Sequence, residues 1–208
     1  MTDENGTNNC IGNMVKIIKF ANRESQIILT VMSGKQIFMR PQDVVVLLKK
    51  TTAKGRNMSG KQLAAALGIS QSEVSESLER SRISGLVDSS KRKVNTQALK
   101  GFLVYGLRYA FPVVPGGIVR GMPTAASASP LKERIVQGEE NFVWPSSDGT
   151  MRGQSLSPLY PSIPFAAGQD PELYALMVAA DALRIGRARE RDIAIELFDN
   201  QFMSYVKQ

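Results

Sequence analysis

Apolar residues recur at helical spacing over residues 41–110 and again over 171–205, and between those stretches they lose any period. Arg40-Pro41-Gln42-Asp43 opens a first helix with proline in its first turn; Val44, Val45, Leu47 and Leu48 form its apolar side and Gly55 closes the segment. A second helix starts on the Ser59/Gln62 capping box, shows Leu63, Ala64 and Leu67 on one face, and stops at Gly68. Only Ile69 intervenes before Ser70 and Glu73 form another capping box, and Val74 and Leu78 then share a face four residues apart. Two helices joined so tightly cross at a steep angle, the geometry of a helix-turn-helix whose second helix can enter a DNA major groove. Ile83–Val87 and Val94 read as two short strands around the tip Asp88-Ser89-Ser90-Lys91-Arg92-Lys93. Leu99, Phe102, Leu103, Leu107 and Ala110 then mark an amphipathic helix over Thr96–Ala110.

From Pro112 to Gln169 prolines and glycines are spread so evenly that regular helix is excluded over most of the stretch. Phe142, Trp144, Tyr160 and Phe165 favour an ordered, irregular layer packed on something over a solvated linker. Arg120-Gly121 and Arg152-Gly153 recur in similar settings and would suit anion contacts. Asp170-Pro171-Glu172 opens another helix, carried by Leu173, Leu176, Met177, Ala180 and Leu183 and stopped at Gly186. A last helix from Ala188 places Ala194, Leu197, Phe198, Phe202 and Tyr205 on one side. These two helices form either the core of a small C-terminal domain or a subunit interface.

The expected fold is mainly α with a small β-hairpin. A 1–38 extension precedes a winged helix-turn-helix domain at 39–110, a Pro/Gly-rich packing layer at 111–169 and a helical pair at 170–208. The extension says little: Val15–Val31 is apolar enough for a strand or helix, and Met39 is a physically plausible second start.

Composition narrows the chemistry. The 208 residues, 43% hydrophobic, can bury one or two ordinary cores. One cysteine, Cys10, and no histidine remove the internal disulfide and most ligands of a zinc, copper or haem site. No apolar run approaches the roughly 20 residues of a membrane helix, and the N-terminus lacks a signal-peptide apolar region, so a cytoplasmic protein is expected. The chain has no G-x-S-x-G, P-loop or G-x-G-x-x-G motif and no histidine base, so neither an enzyme nor a cofactor is expected. The formal charge of +7 is concentrated: residues 39–110 hold thirteen Lys/Arg against five Asp/Glu, residues 111–208 nine against eleven. A basic excess confined to the stretch with the tight helix pair points to a nucleic-acid partner.

The run LAAALGISQSEVSESL with the following GLV and basic hairpin resembles the winged helix-turn-helix of MarR-like bacterial transcriptional regulators over about residues 40–95. It departs from that family at Ser77, where Leu or Ala is usual, and nothing beyond Ala110 matches, so ligand sensing is not implied. The resemblance implies a DNA-binding regulator associated with the nucleoid. Helical arithmetic with Val74 and Leu78 inward turns Ser72, Ser75, Glu76 and Glu79 outward and leaves Ser70 and Gln71 at the N-terminal end. Ser70, Gln71, Ser72, Ser75 and Glu76 are therefore the expected base contacts, with Gln71 suited to adenine and Glu76 to a cytosine amino group. Lys54, Arg56, Lys61, Lys91, Arg92 and Lys93 are the expected phosphate contacts. A two-fold site calls for a homodimer, and the surplus apolar surface of the last helices puts Phe198 and Phe202 in its interface. The competing expectation is an antitoxin-like protein or complex subunit that grips a protein partner through residues 112–208.

Overall fold

In this computed structural model residues 37–135 and 141–207 are described. The chain divides into one unit at 1–37 and another at 38–208. The Val15–Val31 segment and Cys10 lie outside the described residues.

The first helix, α1 (Pro41–Thr51), carries a short valine and leucine run too dense for one face, and Val44, Val46, Leu47 and Leu48 are all 0% exposed. A helix apolar on every side belongs in an interior, and this one is central rather than amphipathic. Around it pack α2 (Gly60–Leu67), α3 (Gln71–Ile83), α7 (Pro171–Ile185) and α8 (Ala188–Val206). The central position also buries charge. Asp43 accepts from the Arg40 amide at 2.8 Å, capping α1, and takes Arg80 of α3 in a bidentate pair whose shorter arm is 2.7 Å. At the other end Lys49 Nζ reaches Asp170 at 2.6 Å, and Asp170 in turn caps α7 through the Glu172 amide at 3.1 Å. Gln201 of α8 donates to the Thr51 carbonyl at 2.8 Å and to Glu172 at 2.6 Å, satisfying one of the acceptors that a helix end leaves open.

The helix predicted over Thr96–Ala110 forms as α4 (Thr96–Gly101) and α5 (Leu107–Ala110), joined by a wider π-type turn at Phe102–Gly106. Beyond it the chain departs from expectation. The stretch predicted to be irregular holds three strands, β1 (Ile118–Pro123), β2 (Phe142–Pro145) and β3 (Met151–Ser155), closed into a small barrel. β1 runs antiparallel to both partners, with Met122 opposite Trp144 and Arg120 opposite Arg152, while β2 and β3 are parallel. So tight a barrel needs glycine: a Cβ on Gly121 would meet the Trp144 carbonyl, and one on Gly149 the Gly121 backbone. The hairpin predicted at Ile83–Val94, by contrast, reduces to a single antiparallel bridge, Val87 to Val94.

The barrel is bolted to α7 by Asp181. Its carboxylate accepts from Trp144 Nε1 at 2.6 Å, Thr124 Oγ1 at 2.8 Å and Arg184 at 2.8 Å, and Arg184 also donates to the Phe111 and Ser157 carbonyls. Burial pushes the Asp181 carboxyl above its ordinary value, opposed by Arg184, Thr124 and Trp144. Asp181 is thus a structural hub. α6 (Ile163–Gln169) completes the layer beside α2.

One apolar core runs from Val44 through Trp144 to Phe202, with Leu63, Ala64 and Val74 as a satellite. The segments 39–110, 111–169 and 170–208 therefore share an interior instead of forming separate bodies. Phe198 and Phe202, expected at a subunit interface, stack on each other at 5.8 Å and are 0% and 5% exposed. Their chain's own core covers them, so no partner subunit can reach them.

Candidate nucleic-acid interface

The α2–α3 junction forms from local rules. Gly68 takes φ 65°, a left-handed conformation that costs other residues a Cβ clash, and ends α2. Ser59 and Ser70 cap α2 and α3, each answered by the side chain three residues on, Gln62 and Glu73. The Ser70 hydroxyl both accepts from the Glu73 amide at 3.1 Å and donates to the Glu73 carboxylate at 2.9 Å. It is spent on the cap, which removes it from the expected base contacts.

The rest of the outward row is placed as helical arithmetic predicts. Gln71, Ser72, Ser75 and Glu76 are exposed, and Val74 faces in at 1%. Ser77 is 0% exposed and shares the inward side with Ser81, also 0%. Both hydroxyls are buried without a hydrogen-bond partner. Two small residues there suit the close packing of α3 on α1, which accounts for a small side chain at Ser77, where the resemblance led to an expectation of Leu or Ala.

Charge on this face is mostly matched inside the chain. Glu79 accepts from Arg82 at 2.7 Å and from Lys91 at 2.8 Å, and these bonds hold its carboxyl down at about 2. Glu76 lies 3.6 Å from Arg80. The hairpin tip is organised by Asp88, which accepts from Ser90 Oγ at 2.5 Å and from the Arg92 and Lys93 amides at 2.8 and 3.0 Å. Those bonds, the Ser90 one foremost, lower the Asp88 carboxyl. Lys91, at φ 59°, folds back onto α3, so it braces the tip rather than projecting toward phosphate. Arg92 and Lys93 are exposed and form no ion pair among the described residues.

Of the remaining expected phosphate contacts, Lys54 and Lys61 are exposed. Arg56 is not available in the same way: its guanidinium lies 4.5 Å from the centre of the Tyr205 ring. The Tyr205 hydroxyl accepts from the Val94 amide at 3.0 Å, so Arg56, α8 and the hairpin base form one bracket.

Sequence reasoning missed what flanks the junction. Tyr160 donates to Glu73 at 3.0 Å, which lowers the Glu73 carboxyl further below the value its Ser70 bonds already set. Ser162 Oγ donates to the Leu67 carbonyl at 2.5 Å, and Phe165, 54% exposed, sits beside Gly68. The aromatic content of residues 142–165 announced packing, but nothing local named its target.

Among the described residues no group of three or more His, Cys, Asp or Glu stands so as to hold a metal, and no helix is long and apolar enough to cross a membrane. No family model, curated protein or solved structure matches this chain.

Proposed function

We propose that the chain is a sequence-specific double-stranded DNA-binding transcriptional regulator, with residues 40–95 acting as a winged helix-turn-helix and α3 as the reading helix. The observation that carries this is the row Gln71, Ser72 and Ser75, exposed on the first two turns of α3 and with no side-chain hydrogen bond among the described residues, beside the exposed tip residues Arg92 and Lys93. Polar groups presented at the start of a helix that follows a tight turn suit base edges in a major groove, and a basic tip alongside suits the adjacent phosphates. Gln71 would take adenine, and Glu76 a cytosine amino group. Glu79, neutralised by Arg82 and Lys91, repels phosphate less than its charge alone would. Lys54 and Lys61 add outer phosphate contacts. Two chains on a two-fold operator would meet through a surface other than Phe198 and Phe202, and a nucleoid location follows from DNA binding.

The test uses duplex fragments selected from genomic DNA by the full chain. Replacing Arg92 and Lys93 together by Ala should reduce the slope of log affinity against log salt by about 2, since each phosphate contact contributes about 0.9. Gln71→Ala should close the gap between the selected site and random duplex by about 1–3 kcal/mol while leaving random binding unchanged. An unchanged salt slope would remove the wing from the interface. Retention of a stoichiometric protein with no duplex affinity would replace the proposal by the partner-binding alternative.

A further inference from the structure

Beside the cavity between α5 and the barrel stand exposed aromatic rings and arginines that form no ion pair among the described residues. Tyr105 and Tyr109, four residues apart on the helix that follows the hairpin, are 78% and 80% exposed. Arg108 stands between them, is exposed, and has no ion pair among the described residues. Beside Arg108 and Tyr109 opens a cavity of about 370 Å³ that Phe142 of β2 and Arg184 of α7 also line. From Phe142 the barrel register continues outward: Phe142 lies beside Gln154, Gln154 opposite Ile118, and two residues further along β1 Arg120 stands directly opposite Arg152. Ile118 is 69% exposed and both arginines are exposed. At about 4.8 Å per strand and 3.4 Å per residue, Arg152 lies one strand and two residues from Phe142, roughly 8 Å.

Like charges placed directly across a strand pair weaken the ladder, and no carboxylate among the described residues pairs with either arginine. Arg120 donates only to the Gly149 carbonyl, at 2.6 Å, and Arg152 has no partner among the described residues. At the other end of the same barrel face Trp144 is buried against Asp181 of α7 and Met122 is half-buried, so the end that bears the arginine pair is the more exposed. An anionic ligand would relieve this repulsion. The flanking rings narrow its class: an acidic peptide would use the arginines and ignore two solvated tyrosines, and a duplex hides the base faces on which rings stack. An unpaired strand offers both, phosphates for arginine and bases for tyrosine.

We infer that this face binds single-stranded nucleic acid, with bases stacking on Tyr105 and Tyr109, one base entering the cavity against Phe142, and the phosphate backbone continuing over Arg108, Arg120 and Arg152. The surface extends beyond what one nucleotide fills, so the ligand is a strand and not a free mononucleotide. It is separate from the α3 face and stands or falls independently of the duplex-binding proposal.

The experiment measures fluorescence anisotropy of labelled oligothymidylate of about 20 nucleotides with the full chain, a length that spans any site of about 4–16 nucleotides. Tyr105→Ala with Tyr109→Ala should weaken binding by tenfold or more, the loss expected for removing two stacking platforms. Arg152→Gln, at a side chain with no internal role, should lower the salt slope by about 0.7. Arg92→Ala with Lys93→Ala should leave the single strand bound as before, and circular dichroism should show the parent fold in every variant. The inference is overturned if the parent fails to bind the strand at low salt, or if the tyrosine double variant binds it as tightly as the parent. Equal competition by thymidine monophosphate, by duplex of the same length or by polyglutamate overturns it as well.

Discussion

The α3 face and the tyrosine–arginine face differ in how much of their charge is already spoken for. Residues 39–110 hold thirteen cationic side chains, yet six are engaged: Lys49 by Asp170, Arg80 by Asp43, Arg82 and Lys91 by Glu79, Lys100 by Asp199, and Arg56 over Tyr205. Lys50 is 4% exposed, and burial pushes its amine below the ordinary value against the pull of Asp88. Residues 111–208 carry a net acidic count, and there Arg120 and Arg152 face solvent without an ion pair among the described residues. Net charge by segment measures composition; availability depends on which carboxylates the fold brings alongside. The two faces differ in kind as well, since α3 presents flexible polar groups and the other face presents rings. The first suits reading edges, the second suits stacking.

The sharpest way to break this contrast is to remove the brace behind α3. Asp43→Ala deletes the α1 cap and leaves Arg80, whose side chain is only 11% exposed, with the longer 3.6 Å contact to Glu76 alone in place of its bidentate pair. Breaking a buried pair from one side costs about 3–5 kcal/mol. Urea unfolding should show that loss, and below the lowered midpoint duplex binding should fall while strand binding by Tyr105 and Tyr109 persists. Equal losses at both faces would mean that they are not independent. A smaller effect of opposite sign is expected at the same helix. Ser77→Ala and Ser81→Ala each remove a buried hydroxyl without a partner, which should raise stability by about 1 kcal/mol apiece. A destabilised Ser77→Ala variant would show that this hydroxyl is satisfied after all.

The smallest effect concerns pH. The Glu79 carboxyl sits at about 2, below its ordinary 4.5, so its bonds to Arg82 and Lys91 stabilise the folded chain above about pH 4.5 and are lost as pH falls toward 2. Because Glu79 is solvent-facing, the consequence is local: the protection of the tip amides of Ser89–Lys93, taken against the unprotected exchange rate at each pH, should fall across that window with little change in global unfolding. Unchanged protection between pH 5 and pH 2 would exclude the Glu79–Lys91 brace.

What the sequence disclosed was whatever rests on neighbours three or four residues apart. Both capping boxes, the Gly68 stop and the outward row Gln71, Ser72, Ser75 and Glu76 stand where spacing placed them. The barrel was hidden because its strands are short, Pro123 and Pro145 end two of them, and Gly121 and Gly153 serve close approach where sequence suggests turns. Periodicity also gave α1 one face when it has none to spare, and it could not say that Phe198 and Phe202 would be claimed by the chain's own interior. Charge pairing failed to show for the same reason: Lys49 and Asp170 are 121 residues apart.

The all-round burial of α1 also limits how such a chain can be inherited in pieces. A crossover after residue 110 would transmit the α3 face with α1 stripped of α7 and α8, leaving Val44–Leu48 to find water or another molecule. The seam that recombination could use without that penalty lies between residues 37 and 38. Everything downstream of it would have to travel together, so a descendant that kept α3 would be expected to keep the barrel too.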